Sequence, residues 1–360
     1  MEGYIVLENG EVFTGEMVGT IKEDIHAEIV FFTGMTGYQE VLSDPSFKGQ
    51  MVIFTYPLMG NYGLNEHDFE SLKPQASALI VHELSEDGYH YECKHSLELG
   101  CEEANIPLIK NVDTRAIVKR IREQGDMRAI LTTDPSKVTF GQYEVLENVN
   151  VVSQVTSTEI TEYGEGDEHV VLIDFGYKKS MVDMLLKKGM KVTVLPYKMV
   201  EDHLEALSPD GILLSNGPGN PKQLESELSS IKKLASKYPT LGICLGHQLL
   251  ALAFGADTKK LRFGHRGANQ PVIDTITNRV YMTSQNHSYV VNEDSLANTG
   301  FKPRFYNIND GSIEGLEHEI HPILTIQFHP EAHPGPSDSE NMFDMFVEML
   351  KSKGREKVYA

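Results

Sequence analysis

From Val170 onward the chain alternates apolar runs with amphipathic ones, a rhythm that few architectures satisfy. Residues 170–175, 191–196, 211–215 and 241–244 read as buried strands, and residues 179–188, 201–207, 223–237 and 248–254 read as helices. Strands that alternate with helices are joined by crossovers, so they run parallel in one sheet with helices on both faces. Ligand sites in such sheets lie at the carboxyl ends of the strands. Those ends are therefore where chemistry is to be sought.

The first part of the chain has a different pattern. Short runs at 4–7, 11–14, 28–32, 50–55 and 78–82 read as strands, and Glu8-Asn9-Gly10 suits a hairpin turn between the first two. One helix is predicted at 114–123, capped by Asp113 and stopped by Gly125. With 360 residues the chain exceeds a comfortable single core. The expected division is a β-rich α/β domain over 1–150, a polar linker rich in Thr, Ser and Glu over 151–168, and the α/β domain over 169–355.

Charge and composition exclude some classes of function. Lys plus Arg number 32 against 52 Asp plus Glu, and the resulting net charge of -20 repels a phosphate backbone, so no nucleic-acid partner is expected. No apolar run is long enough to span a membrane, and none is expected to be met. The start, MEGYIVLENGEVF, alternates like a strand and lacks a basic segment followed by an apolar core, so a cytoplasmic chain is expected. Cys93, Cys101 and Cys244 make no disulfide framework, which leaves a thiol for chemistry.

The sharpest local motif is Leu241-Gly242-Ile243-Cys244-Leu245-Gly246-His247-Gln248, a strand passing into a helix through Gly-x-Cys-x-Gly. On so tight a turn a nucleophile has strained backbone, and side chains two residues to either side collide, so both places require glycine. A thiol there also sits at a helix N-terminus, which favours the thiolate. Taken alone, the motif suits a small packed cysteine equally well. A strand-like run at 323–328 ends in His329-Pro330-Glu331, where a histidine takes a proton from a thiol and a carboxylate holds the imidazole. Alone, that string is more often a structural histidine beside a solvated acid. A third strand end runs into Asn216-Gly217-Pro218-Gly219-Asn220-Pro221, either a surface turn or a loop whose backbone approaches a ligand. In the second case the Gly217 and Leu245 N–H groups form an oxyanion hole.

These three strings, GICLGHQLLA, SNGPGNP and HPEAHPGP, resemble class I glutamine amidotransferases in the same chain order. The resemblance implies that Cys244 attacks the side-chain amide of L-glutamine, His329 moves the proton, and Glu331 orients His329. FFTGMTGYQEVLSDPSFKGQ, TYPLMGNYG and VDTRAIVKRIREQGDMRA in the first part resemble the N-terminal domain of the carbamoyl phosphate synthetase small-subunit family. Matched by position, Ser46, Gly217, Gly219, Leu245, Gln248 and Asn286 fall where that family contacts glutamine. Ser288 and Tyr289 stand where the pattern has Gly-Phe, so contact from these two is expected through the backbone.

No Gly-x-x-x-x-Gly-Lys-Ser/Thr loop occurs. The resemblance therefore implies no cofactor in this chain, with ATP and Mg on a large synthetase subunit that receives the ammonia. His90, Cys93, His95 and Cys101 cluster along the chain, but their spacing matches no standard zinc motif and no metal is expected. Two other readings compete: an amidotransferase feeding an anthranilate or GMP type of synthetase, and a non-catalytic scaffold of the same fold. The first part of the chain argues against the former, and intact Cys244, His329 and Glu331 argue against the latter.

Overall fold

The computed structural model describes residues 1–141 and 143–358, with side chains through residue 352. It forms two compact units, one of Met1–Val151 with Arg262–Gly267 and one of Val152–Leu261 with the described residues from Ala268 onward.

In the first unit Glu2–Leu7, Val12–Val18, Ile25–Phe32, Gln50–Phe54, Ala78–Ile80, Leu108–Lys110 and Met127–Thr132 close into a barrel. Glu2–Leu7 closes it, pairing antiparallel with Val12–Val18 on one side and Met127–Thr132 on the other. The hairpin between the first two strands turns at Gly10, whose φ of 88° is open to glycine at no steric cost. Period-two alternation splits the apolar side chains between two faces. Ile29, Phe31, Met51 and Ile53 join a cluster fed by every barrel strand and by Ile117 and Ile121 of the helix Thr114–Gln124. Val30, Phe32, Val52 and Phe54 point the other way, against Tyr38, Val41 and Leu42 of the helix Tyr38–Ser43. Closure of the barrel was not legible in the sequence, because it depends on pairing between strands at opposite ends of this segment.

The helix Thr114–Gln124 begins where the Asp113 carboxylate accepts from the Ala116 N–H at 2.9 Å and ends at Gly125, φ 102°. Arg262–Gly267 joins this unit through backbone bonds from Asp126 to Arg262 and from Thr33 to Arg266, together with a buried Arg266–Asp126 ion pair at 3.1 Å. No local pattern announces such an excursion.

The second unit is built on one sheet. Its order is Thr161–Tyr163, Lys191–Pro196, His169–Asp174, Gly211–Leu214, Thr240–Ile243, Ile323–Ile326, Ile313–His318, Phe301–Asn307, Thr258–Asp274 and Arg279–Val291. The strands from Lys191–Pro196 through Ile323–Ile326 run parallel, and apolar clusters cover both faces. Thr161–Tyr163 pairs antiparallel with Lys191–Pro196, and Ile313–His318 with both Ile323–Ile326 and Phe301–Asn307, which pairs antiparallel in turn with Thr258–Asp274. The polar sequences of the two longest strands, Thr258–Asp274 and Arg279–Val291, gave no apolar run to mark them.

Two local readings need correction. The polar segment 151–168 does not serve only as a linker: Thr161–Tyr163 adds an edge strand, and Thr156 and Ser157 bond to Asp174. The helix expected at 223–237 is instead a 3-10 stretch, Pro221–Glu227, broken at Leu224 (φ -110°), followed by the α-helix Leu228–Ala235. No helix among the described residues is long and apolar enough to cross a membrane.

Candidate active site

The parallel strands position the site by their register. Thr240–Ile243 lies between Gly211–Leu214, with Leu214 opposite Gly242, and Ile323–Ile326, with Ile326 opposite Ile243. Three adjacent strand ends therefore deliver the loop after Leu214, the turn at Cys244 and the segment Gln327–Glu331 to one edge of the sheet.

Cys244 has φ 53° and ψ -102°, a conformation that costs a non-glycine residue roughly 1–3 kcal/mol. Its N–H donates to the Ile326 carbonyl at 2.7 Å, which holds the turn against the neighbouring strand. A Cβ on Gly246 would lie 2.3 Å from the Leu214 carbonyl oxygen, and one on Gly242 would lie 2.8 Å from that of Gly246. The helix Leu245–Ala253 starts directly after the cysteine, so the Leu245 N–H has no partner within the helix. The Gly217 N–H meets no backbone acceptor among the described residues, and a Cβ on Gly217 would lie 2.3 Å from the Phe175 oxygen. The thiol is buried, and Sγ donates weakly to the Asn286 carbonyl at 3.8 Å.

His329 lies at the end of the adjacent strand segment, and its Nδ1 donates to Glu331 Oε1 at 2.6 Å. Its Nε2 is buried without a hydrogen bond of normal geometry among the described residues, yet the Cys244 thiol lies close enough to raise its proton affinity. Burial pulls the imidazole down, but the Glu331 charge, the Cys244 thiol and the bond to Glu331 outweigh it, and the net value is above 6.5. For Glu331 burial pushes upward, while the charges of Lys178 and His329 pull further downward and leave the carboxyl well below its ordinary range. The arrangement stabilises an imidazolium once the thiol has given up its proton.

Lys178 is a participant that the motifs did not disclose. Its Nζ donates to Glu331 Oε1 at 3.2 Å and to the Ala332 carbonyl at 2.6 Å, and its backbone N–H donates to Asn216 Oδ1 at 3.2 Å. It follows the strand His169–Asp174, so its place at a carboxyl strand end was the available signal.

Among the residues matched to glutamine contact, Gly219 takes φ 86°, and Gln248 is buried with its Nε2 on the Tyr289 carbonyl at 2.8 Å. Tyr289 thus contributes a carbonyl directed at Gln248, beside a half-buried Ser288. Ser46 belongs to the first unit, where its N–H caps on Asp44 at 2.8 Å. His247, adjacent to the elbow, is a core histidine: burial pulls it down to about 3, and Nδ1 lies 2.8 Å from Thr325 Oγ1. Among the described residues His90, Cys93, His95 and Cys101 do not converge on a metal position; Cys101 is packed in the core and the Cys93 thiol donates to the His95 carbonyl.

A parallel sheet with a cysteine elbow places the second unit among the class I glutamine amidotransferases, and residues 171–349 match the family described as glutamine amidotransferase class-I. Residues 5–131 match the CPSase domain of the carbamoyl-phosphate synthase small chain. The chain is 60% identical over 360 residues, the whole of both chains, to the carbamoyl phosphate synthase arginine-specific small chain of Halalkalibacterium halodurans. It is 54% identical, again over the whole of both, to the protein of that name in Bacillus subtilis. Over 351 residues, 97% of each chain, it is 43% identical to the carbamoyl phosphate synthase small chain of Caldanaerobacter subterraneus subsp. tengcongensis. The chain belongs to the carbamoyl phosphate synthase small chain family.

Proposed function

We propose that this chain is the glutamine-hydrolysing small subunit of an arginine-specific carbamoyl phosphate synthase. The observation that carries the reading is the buried series Cys244, His329, Glu331 at the ends of adjacent parallel strands. His329 Nε2 takes the thiol proton as Cys244 Sγ attacks the carboxamide carbon of L-glutamine, and the Leu245 and Gly217 N–H groups receive the developing oxyanion. Each such donor supplies roughly 3 kcal/mol. Collapse of the tetrahedral adduct breaks the C–N bond, His329 returns the proton to the leaving ammonia, and a γ-glutamyl thioester remains. Water then attacks the thioester with His329 as base, releasing glutamate and the thiol.

The ammonia passes to a large synthetase subunit that carries the ATP and Mg sites and makes carbamoyl phosphate from bicarbonate. The assignment to arginine synthesis is supported by the arginine-specific relatives at 54% and 60% identity, against 43% for the relative without that designation. The test is a pull-down from the native cell with glutamine- and ammonia-dependent carbamoyl phosphate synthesis measured on the complex. Cys244→Ser is expected to abolish the glutamine-dependent rate and leave the ammonia-dependent one. Unimpaired use of glutamine by that variant would remove Cys244 from the mechanism.

A further inference from the structure

Gln248 and Gln327 form a buried carboxamide pair behind the elbow, 3% and 0% exposed respectively. Gln248 Nε2 donates to the Tyr289 carbonyl at 2.8 Å and to Gln327 Oε1 at 3.0 Å. The first of these bonds decides which way the Gln248 amide faces, because a backbone carbonyl only accepts. The second uses the other amide hydrogen. Reversing either amide would set donor against donor or acceptor against acceptor in a dry environment, where each group left unsatisfied is destabilising. Gln248 Oε1 is then the free end of the group, and it makes no hydrogen bond among the described residues.

Gln327 carries a cost for this arrangement. With Oε1 turned to Gln248, its own Nε2 is buried without a hydrogen-bond partner among the described residues. Its backbone is held independently, by the N–H to the Glu314 carbonyl at 2.8 Å, two positions before His329. An acceptor with no hydrogen of its own to offer selects a donor on the ligand. Glutamine offers two, the α-ammonium and the side-chain amide, and the amide must lie at the Cys244 sulfur for the reaction to occur.

We infer that Gln327 is a positioning residue that locks the Gln248 carboxamide with Oε1 presented to the α-ammonium group of glutamine. This rests on the reading of the site as a glutaminase. The experiment compares glutamine with glutaramate, which lacks the α-amino group, as substrates of the chain in its native complex. Gln327→Met removes the acceptor while conserving volume; it is expected to raise KM for glutamine about tenfold with a smaller effect on kcat, the loss of one charge-assisted hydrogen bond. The ratio of kcat/KM for glutamine to that for glutaramate then falls about tenfold. Gln327→Glu, which keeps an acceptor toward Gln248, is expected to restore the ratio and serves where the Met variant does not fold. An unchanged ratio in Gln327→Met, or an equal loss for both substrates, would make Gln327 a packing residue and overturn the inference alone. Absence of glutamine hydrolysis by the unaltered complex would overturn the glutaminase reading and the Gln327 assignment with it.

Discussion

The Lys178 ammonium lies 3.2 Å from Glu331 Oε1, the same oxygen that accepts from His329 Nδ1 at 2.6 Å. One carboxylate oxygen thus serves both an ammonium and an imidazole, and all three side chains are at most 2% exposed. Removing one member of a buried ion pair leaves the other uncompensated, so Lys178→Met should lower stability by about 3–5 kcal/mol. Chemical denaturation checks this. An unaltered midpoint would mean that Lys178 contributes only packing.

Glu331→Gln keeps the shape but loses the charge that stabilises the imidazolium. The glutaminase kcat should fall on the order of 10²- to 10⁴-fold, while ammonia-dependent synthesis by the complex persists. Steady-state assays with each nitrogen source distinguish this outcome from global damage, which lowers both.

The depressed Glu331 carboxyl also predicts how stability depends on acidity. A group whose folded value lies below its ordinary 4.5 contributes stability that is present above that pH and is lost as the pH falls through the folded value. The urea midpoint of the protein should therefore drop on acidification below about 4.5, and it should drop less steeply in Glu331→Gln. Parallel pH profiles for the two proteins would refute the linkage.

The elbow glycines can be tested by adding one methyl group. Gly246→Ala sets a Cβ 2.3 Å from the Leu214 carbonyl oxygen, so the turn must shift, with a loss of about 1–3 kcal/mol and of selective labelling at Cys244 by a glutamine-like electrophile. Gly141→Ala meets nothing within 4 Å and should leave both unchanged.

In the first unit, Asp126→Ala removes the carboxylate that pairs with the Arg266 guanidinium, which donates to Asp126 Oδ2 at 3.1 Å with both side chains buried. Loss of about 3–5 kcal/mol is expected in a thermal or chemical denaturation series. Asp126→Asn, which retains an acceptor, should lose less.

Adjacent residues carried most of what could be read in advance. The Asp113 cap, the Gly10 turn, the glycines around Cys244 and the strand-helix alternation after Val170 are each set by local sterics and hydrogen bonding, and each is visible in a few neighbouring positions. By itself the sequence determined the parallel core of the second unit, the position of the elbow and the family. Tertiary structure alone decided the closure of the barrel, the transfer of Arg262–Gly267 to the first unit, and the partners behind the site, Lys178 on Glu331 and Gln327 on Gln248. The reason is physical: a cap or a turn is satisfied within a few residues, whereas a buried charge or amide is satisfied by whatever group the packing brings to it. In this chain those groups lie 153 positions away for Lys178 and Glu331 and 79 for Gln248 and Gln327.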